Sequence, residues 1–293
     1  MTETPYHRFV SELARLQRDG RAFPLGGLPA PSRQTPPADA PTVLIFSPHP
    51  DDECIIGGLA LRLQREAGMR IINVAVTQGS NQARQEARWT ELTDACTYLG
   101  FELVRTAPAG LEGINLKTRS GDPARWRESV DIIAEILARH TPAVVFFPHA
   151  ADWNSTHVGT HHLLADALAR QPTGFNCEVI ETEFWGAMSD PNLMVESTAA
   201  DVGDLMAALS FHVGEVQRNP YHLLVPAWMQ DNVRRGAELV GGQGRSAPDF
   251  AFCTLYRYRL WSGGGFRYHY EGGRTIGAGE NVSEALKAER GRE

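Results

Sequence analysis

Short apolar segments alternate with longer segments of helical periodicity from Thr42 onward, and this alternation constrains the fold more than any other feature of the chain. Continuous apolar runs are typical of strands buried on both faces of a parallel sheet. The predicted strands are TVLIFS, RIINVAVTQ, FELVRT, AVVFFPH and EVIETEFW. Helices are predicted between or after them at 55–66, 81–99, 124–140 and 157–169. The pattern predicts an α/β fold, a Rossmann-like, mostly parallel sheet with helices on both faces.

Composition divides the chain into four parts. Residues 1–41 hold a short amphipathic helix, over about 6–18, and a linker rich in proline and glycine. Residues 42–190 carry the alternation of strands and helices. Residues 191–271 are predicted to form a C-terminal extension of helices and a β-hairpin, packed on the same domain. The charged, glycine-rich segment 272–293 is predicted to be a mobile tail.

Charge and cysteine content narrow the class of protein. The net charge of −7 argues against nucleic acid or an anionic membrane as the main partner. The four cysteines are scattered without a close pair, which fits neither a disulfide framework nor a thiolate zinc site. No apolar run approaches the ~20 residues of a membrane span, and the N-terminal segment lacks the apolar run of a signal peptide. We therefore expect a cytoplasmic protein.

Metal-binding side chains follow two of the predicted strands. The stretch FSPHPDDECIIGG places His49 and the acids 51–53 directly after the first strand. Adjacent acids repel one another unless a cation lies among them. A zinc site that cleaves amides needs three protein ligands, an open position and a nearby base. His49 and Asp52 offer two ligands, and Asp51 is placed to take a proton from water. The third ligand must come from another strand end, where His157 is the candidate.

The motif PHPDDE after a first apolar strand resembles the signature of the LmbE-like, or PIG-L-like, zinc-dependent deacetylases. That family includes enzymes that remove acetyl groups from N-acetylglucosaminyl lipids and thiol precursors. Its second motif reads HPDH, often after an aspartate, and the matching stretch here is DWNSTHVGTHH. Asp152 fits the preceding aspartate and His157 fits the metal-binding histidine. A third, weaker motif is met by Arg88 and Glu91, and the likeness covers about 42–169.

The resemblance implies a role for each of these residues. The expected roles are metal binding for His49, Asp52 and His157, catalysis for Asp51 as general base and for Asn154, substrate binding for Arg88 and Asp152, and support behind the ligands for Glu53 and His161. The expected cofactor is Zn²⁺. The expected substrate is a small N-acylated molecule, foremost an N-acetylglucosaminyl-type amino sugar, with neither nucleic acid nor a membrane as partner. Relatives are often homo-oligomers, so a homo-oligomer is compatible with the resemblance.

The second motif departs from the family at 154–157, where the chain reads NSTH and the family reads HPDH. Asn154 therefore replaces a histidine that helps to polarise the carbonyl or to protonate the leaving amine. An asparagine amide can hydrogen-bond a developing oxyanion, but it cannot donate a proton at neutral pH. The alternatives for the missing acid are Asp51, acting as both base and acid, His149, His161 and His162.

Structural interpretations compete with some of these roles. The acids 51–53 suit a helix N-terminus, and Arg88 with Glu91 has the spacing of a surface ion pair. His212, within an amphipathic segment, is either a satisfied core histidine or a residue that reaches the pocket. Trp153 and Trp185 are either pocket walls or packing residues.

Other functions compete with deacetylation of an amino sugar. One alternative is an amidase that removes a larger acyl or conjugate group from a non-sugar substrate. Another is a catalytically impaired metal-binding protein, because of the substitutions at 154–157. A nucleotide-binding Rossmann domain is disfavoured, because PHPDDE stands where the glycine-rich fingerprint is expected and its acids would repel phosphates.

Overall fold

A nine-stranded sheet forms the centre of the computed structural model, which describes residues 3–287. The strands are β1 Thr42–Ser47, β2 Arg70–Ala75, β3 Glu102–Arg105, β4 Val144–Pro148, β5 Cys177–Thr182, β6 Leu193–Glu196, β7 Cys253–Ser262, β8 Gly265–Tyr268 and β9 Arg274–Ile276. Their order is β3-β2-β1-β4-β5-β7-β6-β9, with β8 paired to β7. Strands β1 to β5 pair with one another in parallel. Strand β7 is antiparallel to β5, β6 and β8.

Helices cover both faces of the sheet. They are α1 Pro5–Gly20, α2 Leu59–Arg65, α3 Gln85–Leu99, α4 Leu116–Gly121, α5 Pro123–His140, α6 Ser155–Leu168, α7 Ala199–Leu209, α8 Val213–Arg218, α9 Val225–Leu239 and α10 Val282–Lys287. Along β1, Val43 and Ile45 pack into the cluster that includes α2, α3 and α7. Leu44 and Phe46 pack into the cluster that includes α5 and α6 on the other face. This two-sided burial is why the strand is apolar throughout, and the predicted fold class is confirmed.

The strand order reverses at β1, which lies between β2 and β4. Loops that leave the carboxyl ends of the two strands at such a point diverge and open a crevice. The loop after β1 carries His49, and the loop after β4 leads into α6, which carries His157. The topology therefore brings the two predicted metal-binding segments together.

Several predicted helices have different bounds in the structure. The helix predicted at 55–66 begins at Leu59, because residues 52–54 form a 3₁₀ turn and Gly57 adopts φ +80°. A Cβ on Gly57 would lie 2.1 Å from Oγ1 of Thr254, so the close approach of these segments requires glycine. The helix predicted at 81–99 begins at Gln85 after a 3₁₀ turn. Residues 199–217, whose amphipathic pattern predicts one continuous helix, instead form two helices, α7 and α8, separated at His212.

The prediction of a mobile tail at 272–293 is wrong for its described part. Residues 274–276 form β9, which pairs with β6, and residues 282–287 form α10. Ile276 and Val282 are fully buried in the core. These two apolar residues anchor the segment in the core. The prediction missed them because the composition around them is charged. Residues 288–293 lie outside the described residues.

The N-terminal helix lies on the surface. Within α1, Gly20 alone is buried, and Tyr6, Phe9 and Leu16 are each more than half exposed. The linker that follows α1 packs Leu25 and Leu28 against the core. Within the described part of the chain, no helix combines the length and apolar character needed to cross a bilayer.

Candidate metal centre and active site

Three side chains from the two loops converge on one point. Nδ1 of His49 lies 3.2 Å from Nε2 of His157 and 3.4 Å from Oδ2 of Asp52. Nε2 of His157 lies 3.3 Å from the same oxygen of Asp52. Asp52 and His157 are almost completely buried, and the side chain of His49 is 19% exposed. The three atoms form a nearly equilateral triangle that opens toward the crevice through His49.

This triangle fits a tetrahedral metal ion. Metal–ligand distances of about 2.0–2.1 Å imply ligand atoms about 3.3–3.4 Å apart. Burial raises the pKa of Asp52, but His157 and His49 outweigh it and lower the pKa below its usual range. Burial lowers the pKa of His157, but Asp52 and Asp152 outweigh it and raise the pKa to about 10. The surroundings of the triangle therefore favour positive charge, as a cation site requires.

Asp51 lies beside the triangle in a strained turn. Its φ of 113° is rare for a residue with a side chain. Its amide donates a 3.0 Å hydrogen bond to Oε2 of Glu53, and Oε1 of Glu53 lies 2.7 Å from Nε2 of His212. Burial, followed by the charge of Asp52, raises the pKa of Asp51 to about 6. The contacts of Glu53 hold the turn in a conformation that it would not adopt alone.

Glu53, Cys54 and His212 form a second close group of ligand-type side chains among the described residues. Its members bond to one another, because the Cys54 thiol donates to Oε1 of Glu53, which also contacts His212. All three side chains are fully buried. We interpret the group as a brace behind the metal centre rather than a second metal site.

Asp152 lies behind His157, which differs from its predicted role in substrate binding. Its Oδ1 lies 3.6 Å from Nδ1 of His157 and accepts the amide of Asn154. Its Oδ2 accepts the amides of Trp185 and Gly186. The side chain is completely buried. A carboxylate in this place orients the ligand ring and ties together two loops.

Asn154 caps α6 and faces the crevice. Its Oδ1 accepts the amide of Thr156 at 2.8 Å, and the residue lines the cavity beside His49. Because the oxygen is engaged in the cap, the amide NH₂ group is the part available to a ligand. His157, a candidate metal ligand, follows in the first turn of the same helix.

Arg88 is only 13% exposed and is largely engaged by the protein. Its Nη2 donates to the carbonyl of Pro50 at 2.8 Å and lies 3.9 Å from Oδ2 of Asp51. The alternative interpretation, a surface ion pair with Glu91, is absent from the described ion pairs, and Glu91 instead accepts the amide of Gly214. Arg88 therefore supports the Pro50–Asp51 turn and also lines the crevice.

The other histidines point away from the ligand atoms. Nδ1 of His161 lies 3.0 Å from the carbonyl of Pro148 and 3.2 Å from Glu181. His149 is buried against the carbonyl of Gly186. His162 contacts Arg119, which pairs with Asp166 of α6, and it does not line the crevice. None of these three takes the place of the family histidine that Asn154 replaces.

The crevice has two lobes that meet at His49, Ser80 and Asn154. The polar lobe has a volume of about 560 Å³ and is lined chiefly by hydroxyls, amides and glycines, among them Thr77, Gly79, Gln85, Asn115 and Thr156. The arginine lobe has a volume of about 410 Å³ and includes Arg84, Arg88, Arg218, Glu215, Trp185 and Tyr221. Asp51 and Asp52 border the arginine lobe. Trp153, by contrast, is 82% exposed outside both lobes.

Sequence reasoning left the role of His212 open and missed residues 215–221. His212 bonds to Glu53, Glu215 pairs with Arg84, and the hydroxyl of Tyr221 donates to Oδ2 of Asp51 at 2.5 Å. These residues lie more than 120 positions from their partners and belong to no motif. Only the burial of His212 was open to prediction, from the amphipathic pattern around it.

Residues 44–168 match the sequence model of a family described as PIG-L, GlcNAc-PI de-N-acetylase. A 1D-myo-inositol 2-acetamido-2-deoxy-alpha-D-glucopyranoside deacetylase from Mycobacterium leprae is 27% identical over 177 residues, which cover 51% of this chain and 57% of that protein. The chain therefore spans little more than half the length of this relative.

Two solved structures share the fold at low sequence identity. An N,N'-diacetylchitobiose deacetylase from Pyrococcus horikoshii is 17% identical with a TM-score of 0.54, over 90% of this chain and 95% of that one. A 4-carboxy-2-hydroxymuconate hydratase from Pseudomonas putida is also 17% identical, with a TM-score of 0.52, over 74% and 95%. The fold thus accompanies more than one activity. Residues 44–168, which contain His49, Asp52 and His157, are therefore the part of the chain that is similar to the PIG-L family.

Proposed function

We propose that the protein is a zinc-dependent N-deacetylase that hydrolyses the acetamide of a small amino-sugar compound. The observation that carries this proposal is the triangle formed by His49, Asp52 and His157, with edges of 3.2–3.4 Å and a carboxylate base beside it. The mycobacterial relative supports the amino-sugar substrate, because its name describes deacetylation of such a compound. Two imidazole nitrogens and one carboxylate oxygen form a ligand set that suits zinc.

His49, Asp52 and His157 would hold the ion. When bound, zinc polarises a carbonyl and lowers the pKa of water toward ~7. Asp51 takes a proton from the water molecule that attacks the carbonyl carbon. Tyr221 holds one oxygen of that carboxylate, which leaves the other for the water. The amide NH₂ of Asn154 donates to the carbonyl oxygen as negative charge develops on it.

Collapse of the tetrahedral adduct breaks the bond between carbon and nitrogen. The proton that Asp51 removed from water passes to the nitrogen, and the products are acetate and a free amine. Asp51 is then base and acid in turn, because Asn154 cannot supply a proton. The histidines at 149, 161 and 162 lie away from the ligand atoms, which supports this assignment over the alternatives.

A larger acyl group is the second candidate. The two lobes, of about 560 and 410 Å³, both exceed the volume of an acetyl group. An amidase that removes a longer acyl or conjugate group would occupy both lobes. The dependence of the hydrolysis rate on acyl length separates the two candidates. The rate of a deacetylase falls as the acyl group lengthens beyond acetyl, whereas the rate of the amidase rises.

The test uses zinc-loaded protein and a panel of N-acetylglucosaminides, N-acyl amino acids and short peptides. Free amine and released acid are measured for wild type and Asp51→Asn, which removes the base and keeps the shape. A general base is worth ~10²–10⁴ in rate, so Asp51→Asn should lose activity on that order. Asp131→Asn, at an exposed carboxylate on α5, is the matched control. Hydrolysis of none of the amides by metal-loaded protein would contradict the proposed function.

A further inference from the structure

The arginine lobe contains three guanidinium groups and one carboxylate beyond the metal centre. Nη1 of Arg84 lies 2.8 Å from Oε1 of Glu215, and Nη2 of Arg218 contacts Oε2. Nε of Arg88 lies 3.9 Å from Oε1 of the same residue. Asp51 lies 3.9 Å from Nη2 of Arg88, so Arg84 and Arg218 share the one negative charge of Glu215. Pairing within the protein therefore leaves this cluster with surplus positive charge.

The remaining charges of the lobe do not reach its exposed surface. Asp51 and Asp52 are 11% and 1% exposed, and both are engaged, by Tyr221 and by the ligand histidines. Glu215 is 9% exposed, whereas Arg84 and Arg218 are 33% and 71% exposed. The carboxylates and Arg88 lie at the base of the lobe, and the guanidinium groups of Arg84 and Arg218 lie at its mouth. A molecule that enters the lobe first meets positive charge.

The guanidinium groups are placed by separate elements around the metal centre. Arg84 lies in the turn before α3, and Arg218 ends α8 in the segment outside the family match. Burial opposes ionisation of Glu215, but Arg218, Arg88 and Arg84 lower its pKa and keep it charged. Glu215 thereby holds the guanidinium groups of Arg84 and Arg218 on one side of the lobe. Each guanidinium group has further N–H donors beyond the one that contacts Glu215. Planar guanidinium forks bind phosphate and carboxylate groups through paired hydrogen bonds.

We propose that the substrate carries, besides its N-acyl group, an anionic substituent that Arg84 and Arg218 bind in the arginine lobe. This inference rests on the proposed function. The polar lobe is lined chiefly by hydroxyls, amides and glycines, and the guanidinium group of Arg125 in it is paired with Glu112 at 3.4 Å. This lobe then receives an uncharged hydroxylated part of the substrate. The shared chemistry is a phosphate or a carboxylate, and the experiment distinguishes the two.

The first arm compares N-acetylglucosamine with its 1-phosphate, its 6-phosphate and N-acetylmuramic acid, whose added group is a carboxylate. Wild type should show a KM for an anionic sugar roughly 10-fold or more below that for the neutral one, because hydrogen bonds to charged groups are worth about that factor. The difference should shrink as salt rises from low to ~0.5 M, since exposed charges are screened. Which anion gives the lower KM identifies the substituent.

Substitutions in the lobe give the second arm. Arg84→Gln and Arg218→Gln should each raise KM for the preferred anionic sugar roughly 10-fold, with a much smaller change for the neutral sugar. Arg170→Gln, at an exposed ion pair with Asp131, is the matched control and should change neither.

Glu215→Gln separates a binding site from a structural ion-pair network by which substrates it affects. A binding site predicts a KM change confined to the anionic sugar, because Glu215 sets both the charge and the position of the Arg84 and Arg218 guanidinium groups. A network that only holds α8 in place predicts the same change in KM, or none, for the neutral and the anionic sugar.

Calorimetry with inorganic phosphate and the zinc-loaded protein tests the lobe without hydrolysis. Binding that Arg84→Gln and Arg218→Gln weaken supports the anion site even if no amide is cleaved, in which case the proposed function alone fails. Equal KM values for neutral and anionic sugars, with phosphate binding unchanged in both variants, would overturn the inference and leave the proposed function standing.

Discussion

The hydroxyl of Tyr221 lies 2.5 Å from Oδ2 of Asp51, across 170 residues of sequence. Tyr221 follows α8 in a 3₁₀ turn, and its ring packs 5.5 Å from that of Trp185. Burial, then the charge of Asp51, raises the pKa of Tyr221, so the hydroxyl stays protonated and donates. A segment outside the family match thus orients the proposed base.

Tyr221→Phe removes this hydrogen bond and keeps the ring. We expect kcat to fall roughly 10-fold with little change in KM, because a hydrogen bond to a charged group is worth about 1.5–3 kcal/mol and acts here on the base. Metal content should be unchanged. Tyr98→Phe, which removes a hydroxyl bonded to Asp204 far from the crevice, is the control. A Tyr221→Phe enzyme with wild-type kcat would show that the hydroxyl does not position Asp51.

Metal content distinguishes ligands from neighbouring histidines. His49→Ala, Asp52→Asn and His157→Ala should each lower zinc occupancy after dialysis, because three ligands are the minimum of a catalytic zinc site. His161→Ala, one helical turn after His157, should retain zinc, since its Nδ1 faces Pro148 and Glu181. The measurement is elemental analysis of purified protein. Full occupancy in any of the first three variants would remove that residue from the ligand set.

The sequence predicted the fold class because burial on both faces makes each parallel strand visibly apolar. It also predicted His49, Asp52 and His157 as one site, because each follows the carboxyl end of a strand and the strand order makes these ends neighbours. The positions of these three residues depend on local turns and on one topological rule.

The rest of the site depends on how a distant segment folds back. Tyr221 and Glu215 reach the crevice only because α7 and α8 break at His212, where a buried contact with Glu53 replaces helical continuity. No local pattern encodes that contact. Strand β9 was not predicted for a related reason. Its three residues are too few for a periodic signal, and its pairing with β6 is long-range.

Asn154 caps α6 through its side-chain oxygen, and in the proposed function its amide NH₂ donates to the substrate. Substitutions can separate these two roles. Asn154→Ala removes both the helix cap and the amide donor, so we expect a stability loss of about 1 kcal/mol and a fall in kcat on the order of 10²-fold. Asn154→Ser restores a capping oxygen without an NH₂ group, and should recover stability but not kcat. Chemical denaturation and steady-state kinetics on both variants check this. Equal kcat in wild type and Asn154→Ser would assign Asn154 to the cap alone.

Glu181 controls how stability depends on pH. Its carboxylate, fully buried in β5, contacts Arg257, Arg259 and His161 at 2.6–3.2 Å. Burial raises its pKa, but His161, Arg257 and Arg259 outweigh burial and lower the pKa from 4.5 to about 2. A depressed pKa stabilises the fold above pH 4.5, and this contribution is lost as pH falls toward 2.

A shift of this size corresponds to about 3 kcal/mol at pH 7. Glu181→Gln should therefore be destabilised by about that amount at pH 7, and by less than half of it near pH 3, where the folded wild type begins to protonate. Urea unfolding of both proteins at the two pH values measures the difference. Glu135→Gln, at an exposed pair with Arg139, should change stability by under about 0.5 kcal/mol at either pH. A Glu181→Gln deficit that stayed constant from pH 7 to pH 3 would mean that the carboxylate's charge is not what the arginines stabilise, and that the loss comes from packing around β5.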